Sequence, residues 1–216
     1  YAVLIKVTTD EGITGWGEAH HGRCPGAIAK LVDTTFKELI VGMDPLCNVN
    51  IWEKIYRMQL SSHGMGYAST MALSGLDIAL WDIKGKYFNA PIYKLLGGSQ
   101  KKIPSYAGGI ALGWQDPVSL GEEALFHISK GYKAIKLRVG DKIKEDFKRV
   151  AQVRNSIPDE IEILVDANTN YTLKDAQKAV PFYEDHQITW LEEPFPAMEF
   201  NNYRTAKSYG NLSFAA

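Results

Sequence analysis

From residue 99 to residue 216, short apolar runs alternate with amphipathic stretches at intervals of about thirty residues or fewer. That rhythm constrains the fold more than any other feature, because strands separated by helices pair in parallel through crossovers. The runs are KIPSYAGGI, YKAIKLRV, EIEILVDAN, ITWLEEP and a closing LSFAA. Helices are expected over residues 117–130, 142–156, 172–185 and 199–209. No glycine-rich phosphate loop of the Rossmann kind follows any of these strands, which lowers the standing of an open doubly wound sheet. The expectation is the first half of a (β/α) barrel, about four and a half units where closure takes about eight.

Residues 1–98 read differently, as an α+β unit. YAVLIKVTTDEGITGWGEA gives two strands around a turn at Asp10-Glu11-Gly12, a hairpin signal. From Pro25 to about Leu60 the pattern is helical, interrupted at GMDP. Residues 65–88 carry apolar side chains at three- and four-residue spacing, namely Met71, Leu73, Leu76, Ile78, Leu80 and Ile83, so one long helix is expected with these on its inner face. NAPIYKLLGG closes the unit with a proline and a glycine pair.

The composition is that of a globular chain: 216 residues, 45% hydrophobic and 23% charged. A formal net charge of −1 gives no electrostatic case for nucleic acid or an anionic membrane. No apolar run approaches the ~20 residues of a membrane span. The N-terminus lacks the basic leader and cleavage site of a signal peptide. Cys24 and Cys47 have neither metal nor redox spacing and read as reduced thiols of a cytoplasmic protein. The chain starts without Met and stops at NLSFAA, so both ends are read as cut.

In a βα barrel, chemistry sits at the C-terminal ends of the strands. Lys136 and Arg138 fall near the end of the second strand, on one face of it, because side chains two apart point the same way. Asp166 and Asn168 end the third strand, and Glu192 and Glu193 the fourth. Gly108 and Gly109 leave room at the end of the first. Taken singly, VDAN is most often a cap, EEP a strand exit and Lys-x-Arg a solvated strand face. Their occurrence on consecutive strands points to one site. Carboxylates from adjacent strands are hard oxygen ligands suited to Mg²⁺, with a third expected at the end of the fifth strand, just past Ala216. Beside a divalent cation and a second positive charge, a lysine's pKa is expected to fall, so that Lys136 could abstract a proton or hold a substrate carboxylate.

Several stretches together resemble the mandelate racemase/muconate lactonizing enzyme family of the enolase superfamily. GITGWGEA resembles the family's capping-domain strands. ALSGLDIALWDIKGKYFNAPIYKLLGG resembles its signature helix and the link into the barrel. KLR, VDAN and LEEP resemble its motifs on barrel strands two, three and four, with 26 residues between Asp166 and Glu192. The resemblance implies an N-terminal α+β capping domain (1–98) and a (β/α)₇β TIM-like barrel, of which 99–216 would be the first half. It implies Mg²⁺ held by Asp166 and Glu192, and removal of the proton α to a carboxylate of a small-molecule substrate. Lys136 would lie near the substrate carboxylate and the metal, and Asn168 would support the ligand shell and the substrate. The loop carrying His20, His21 and Arg23 matches the loop that closes over substrate. Many members have a second lysine, the base, where Arg138 stands. Arginine keeps its proton, so Arg138 is expected to orient an anion or lower the pKa of Lys136.

The resulting expectation is an acid-sugar dehydratase, since removal of the C2 proton and loss of the C3 hydroxyl fit chemistry with a single base. A cycloisomerase of a sugar lactone or anhydro-sugar acid is the near alternative, and a racemase or epimerase a further one. A scaffold that keeps the fold without the chemistry is the alternative from another class. The full-length protein is expected to be a homo-oligomer.

Overall fold

The computed structural model describes residues 2–64, 66–109 and 112–216. The chain divides into two compact units, one ending at Lys101 and the other starting at Lys102.

The N-terminal unit opens with the hairpin of β1 (Val3–Thr8) and β2 (Thr14–Ala19), antiparallel with Val3 opposite Ala19 and Thr8 opposite Thr14. Its turn closes with Thr9 N–H donating to the Ile13 carbonyl, and Gly12 takes the left-handed backbone (φ 85°) that such a turn needs. Helices α1 (Pro25–Leu31) and α2 (Lys37–Ile40) are joined by a π-helical turn, Val32–Phe36. A second π turn, Tyr56–Leu60, extends α3 (Asn48–Ile55). The long helix α4 (Gly66–Tyr87) and the short α5 (Ile92–Leu95) complete the unit.

The hairpin lies on α4 at unusually short range. Gly15, Gly17 and Ala19 share the inner face of β2. A side-chain carbon at Gly17 would lie 1.9 Å from the Gly75 carbonyl oxygen, and one at Gly15 would lie 2.1 Å from that of Ala79. The GxGxA spacing therefore makes a slot for a helix backbone, and α4 answers with Ala72, Gly75 and Ala79 among its buried residues. Larger side chains fill in around this seam: Leu73, Leu76, Leu80 and Ile83 from α4, with Val3, Ile5, Ile28, Phe36, Ile51 and Ile55. Ile78 departs from the expected inner face and is 48% exposed. The buried face is narrowed by the small residues, and Ile78 falls on the flank beside Trp16, Trp81 and Leu96.

The C-terminal unit holds β3 (Ala107–Gly108), α6 (Pro117–Ser129), β4 (Ala134–Arg138), α7 (Ile143–Ser156), β5 (Glu162–Asp166), α8 (Leu173–Asp185), β6 (Ile188–Glu192), α9 (Phe200–Ala206) and β7 (Ser213–Ala215). The strands pair in parallel in the order β3-β4-β5-β6-β7. Consecutive order has no reversal point, which separates this sheet from a doubly wound one and marks it as part of a barrel. The expected strand over KIPSYAGGI shrinks to two residues, Ala107–Gly108, with Ile110 outside the described residues. Pro104 has no N–H to give to a ladder. The expected helix over 199–209 ends at Ala206 and continues as one 3₁₀ turn, Lys207–Tyr209.

Each strand sends alternate side chains to opposite faces. Ile135, Leu137, Ile163, Val165 and Leu191 form the outer core with Leu120, Val150, Val153, Val180 and Tyr183. The other face receives Lys136, Arg138, Asp166 and Glu192; Arg138, Asp166 and Glu192 stand level across the ladder, and Lys136 lies two residues earlier, opposite Leu164. The helices are capped locally, α6 by Asp116 and α8 by a Thr172–Asp175 capping box.

One polar group sits inside the outer core. Asp146, fully buried, accepts the Gly140 N–H and the Tyr171 hydroxyl, each at 3.0 Å, and Tyr171 lies 2.7 Å from the Tyr183 hydroxyl. This ties the start of α7 to the exit of β4. Burial pushes the Asp146 carboxyl above its ordinary range, and its hydrogen bonds and the Arg149 guanidinium, 3.7 Å from Oδ1, only partly oppose that.

Two outcomes are expected. Gly17→Ala should destabilise the N-terminal unit by about 3 kcal/mol or more, whereas Gly26→Ala, in open space in the first turn of α1, should stabilise it by up to about 1 kcal/mol; denaturant unfolding measures both. Because the folded pKa of Asp146 is raised, wild type should lose stability relative to Asp146→Asn as pH rises from about 3.8 through that raised value. Parallel unfolding curves of the two proteins across the acid range check the sign.

Candidate active site

The four charged residues at the ends of β4, β5 and β6 form one ion cluster. Lys136 Nζ donates to Glu192 Oε1 at 2.9 Å and Oε2 at 3.0 Å, and lies 3.2 Å from Asp166 Oδ2. Arg138 Nη1 donates to the same Asp166 Oδ2. Asp166 turns its other oxygen to the loop, where Oδ1 accepts the Asn168 backbone N–H at 2.9 Å and the Asn168 side-chain amide. Asp166 therefore does shape a local turn, as a strand-end aspartate commonly does, but with one oxygen only. The helix cap is Thr172.

The backbone around this rim is held in costly conformations. Asn168 (φ 44°), Thr169 (φ 66°) and Glu193 (φ 41°) all lie in the left-handed region. Asparagine tolerates it, but a β-branched threonine does so at a cost of about 1–2 kcal/mol. Cross-strand bonds hold them there: Thr169 N–H donates to the Glu193 carbonyl at 2.7 Å, and Glu193 N–H to that of Ala215 at 2.8 Å. Left-handed residues on two neighbouring strand exits fit a rim shaped for chemistry.

Asp166 is 2% exposed. A carboxylate so far from water needs cationic partners, and it has two. Burial alone would lower the pKa of Lys136, but its hydrogen bonds to Glu192 and Asp166, and their charges, raise it. In this arrangement Lys136 is a charged ammonium held by two carboxylates.

Two aromatic residues that motif reading did not select complete the surroundings. Lys136 Nζ lies 5.4 Å from the centre of the Tyr106 ring, and Trp190 Nε1 donates to Glu192 Oε2 at 3.3 Å. Both were findable: Tyr106 stands two residues before Gly108 and Trp190 two before Glu192, so period two puts them on the inner face.

The structure thus brings Lys136, Arg138, Asp166, Asn168 and Glu192 together. His20, His21 and Arg23 belong to the N-terminal unit, in the loop after β2. Their own geometry is defined. The imidazoles stack at 4.8 Å, and each Nδ1 accepts a backbone N–H, from Gly22 at 3.1 Å and Arg23 at 2.9 Å. A neutral imidazole that accepts at Nδ1 carries its proton on Nε2. Each ring therefore presents a donor.

As for a metal, the described residues hold no group of three or more His, Cys, Asp or Glu side chains able to share an ion. Two carboxylates do converge. The Lys136 ammonium already sits within 3.2 Å of both Asp166 and Glu192, so both carboxylates face one cationic centre. Hard oxygen donors from adjacent strands fit Mg²⁺, which commonly takes one or two protein carboxylates.

Comparison with known proteins decides the family. Residues 1–97 match the mandelate racemase/muconate lactonizing enzyme N-terminal domain, and residues 120–212 match the enolase C-terminal domain-like family. The chain belongs to the mandelate racemase/muconate lactonizing enzyme family of the enolase superfamily. An arabinonate dehydratase from Saccharolobus solfataricus is 34% identical over 194 residues, 89% of this chain and 52% of that protein. A 3,6-anhydro-alpha-L-galactonate cycloisomerase from Streptomyces coelicolor is also 34% identical, over 97% of this chain and 58% of its own length. The crystal structure of an enolase superfamily member from Polaromonas sp. JS666 superposes with a TM-score of 0.96 at 50% identity, covering 99% of this chain and 57% of that one. A racemase from Streptomyces coelicolor A3(2) with bound magnesium gives 0.91 at 29% identity, covering 98% and 63%. The chain spans about half the length of the curated relatives it matches. Those relatives are acid-sugar dehydratases, cycloisomerases and epimerases.

The ion cluster makes a prediction of its own. Lys136→Met should cost about 3 kcal/mol, because it leaves two carboxylates against one guanidinium. Adding Glu192→Gln should restore part of that loss, and a double-mutant cycle from unfolding curves measures the coupling.

Proposed function

We propose that the protein to which this chain belongs is a Mg²⁺-dependent enzyme that removes the proton α to the carboxylate of an acid sugar, and that its reaction is dehydration of an aldonate or aldarate. One observation carries this reading: Asp166 and Glu192, on neighbouring strand exits, converge on one point, which the Lys136 ammonium reaches from the next strand. Asp166 and Glu192 would hold the metal. When bound, Mg²⁺ supplies Lewis-acid stabilisation of the negative charge that develops as the proton leaves.

The chain's own residues have distinct tasks. Lys136, charged and largely shielded from water, holds the substrate carboxylate by a charge-assisted hydrogen bond. Arg138 holds Asp166 in register and keeps its own proton, so it is not the base. Asn168 fixes the second oxygen of Asp166. His20 and His21 offer Nε2–H donors suited to hydroxyl and carbonyl oxygens, and Arg23 suits an anion. Lys136 is held as an ammonium by two carboxylates and Arg138 keeps its proton, so we assign the base to the half of the fold that the relatives have beyond the matched region. A single base suits dehydration better than racemisation, which needs one on each face. Cycloisomerisation of an anhydro-sugar acid is the second reading, favoured by a cycloisomerase relative of equal identity.

The test is a screen of the intact protein against an acid-sugar library with and without Mg²⁺. Turnover that loses water and vanishes in chelator is expected, and Asp166→Asn should lower it by a factor of 10³ or more while circular dichroism stays unchanged, the loss of a metal ligand removing several kcal/mol of stabilisation. Metal affinity and activity that survive Asp166→Asn would sink the assignment. A folded protein with neither metal affinity nor turnover would favour the scaffold reading.

A further inference from the structure

Four side chains on the inner face of the C-terminal unit close a ring of contacts. The Tyr106 ring centre is 6.4 Å from that of Trp190, edge to face at 80°. Trp190 Nε1–H donates to Glu192 Oε2 at 3.3 Å. Glu192 accepts from Lys136 at 2.9 and 3.0 Å, and the Lys136 ammonium returns to Tyr106 at 5.4 Å from the ring centre. Within this ring Trp190 is the group that reaches Glu192 without carrying a charge. Lys136 competes with any cation for Glu192, because both are positive. The indole N–H does not compete, since it is a neutral donor with no acceptor capacity. A carboxylate can accept at several lone-pair sites, so Oε2 can keep the indole bond while turning other lone pairs to a cation.

We propose that Trp190 is a positioning residue for Glu192: its indole N–H fixes the plane of the carboxylate, and Tyr106, set against the indole edge to face, fixes the indole. This rests on the proposal that Glu192 binds a metal, but it adds a residue and a bond that the motif does not contain. Donors behind a ligand orient it, and losing one commonly costs 10- to 100-fold in metal affinity. Phenylalanine keeps most of the ring and lacks the N–H, so it isolates the bond.

The experiment uses the intact protein labelled with ¹⁵N at the tryptophan indoles. The Trp190 resonance is assigned by its loss in Trp190→Phe, or in Trp190→Tyr if the first variant does not fold. In chelator, this resonance should move upfield in Glu192→Ala while the indoles of Trp16, Trp52, Trp81 and Trp114 stay in place. Titration of wild type with Mg²⁺ should shift the same resonance. Calorimetry should give Trp190→Phe an affinity for Mg²⁺ about 10-fold weaker, at an unchanged melting temperature. A Trp190 resonance indifferent to Glu192→Ala overturns the proposal, as does a Trp190→Phe protein that binds Mg²⁺ as tightly as wild type. If wild type has no Mg²⁺ affinity, the metal reading fails, and the response to Glu192→Ala alone decides whether Trp190 orients Glu192.

Discussion

Asp166 is almost wholly removed from water, and a carboxylate in that position has to be answered by cations. Two of them arrive from one neighbouring strand, because Lys136 and Arg138 lie two residues apart and share its inner face. Glu192 arrives from the other side at the same level. The compensation depends on parallel, consecutive strands in a fixed register: a slip of one residue in any of the three would turn that strand's charges into the apolar layer under the helices. Sheet register and site chemistry are thus one constraint. The outer core of Ile135, Leu137, Ile163, Val165 and Leu191 fixes the register from one side, and the charge cluster fixes it from the other.

Much of this was legible in the chain. The alternation in AIKLR, EILVD and ITWLE announced three strands with two faces, and charge on one face only told which side was lined for chemistry. Asp166 and Glu192 were readable because each follows an apolar run and precedes a turn. Other features were not legible, for identifiable reasons. The π turns at Val32–Phe36 and Tyr56–Leu60 use the same residues as an α-helix. Ile78 has the right polarity for the core but stands outside a face narrowed by Gly75, Ala72 and Ala79. The first barrel strand was overread, because apolar content around Pro104 suggested a ladder that forms at only two residues. Trp190 and Tyr106 went unselected because aromatic residues in strands are ordinarily core, and only the geometry reveals an indole N–H aimed at a carboxylate.

The Arg138 guanidinium, bonded to Asp166, is a structural cation. Lys136, bonded to both carboxylates, is an anion holder as it stands. Both cations of this rim are thus committed to its two carboxylates.

The seam between β2 and α4 bears on when each unit can take shape during synthesis. Gly15 and Gly17 fit against the backbone of Gly75 and Ala79, about sixty residues further along the chain. On the ribosome the hairpin therefore waits, its inner face open, until α4 has left the exit tunnel. The C-terminal unit has the opposite schedule. Each of its strands lies beside the one made just before it, and it can grow in step with translation, one strand and one helix at a time.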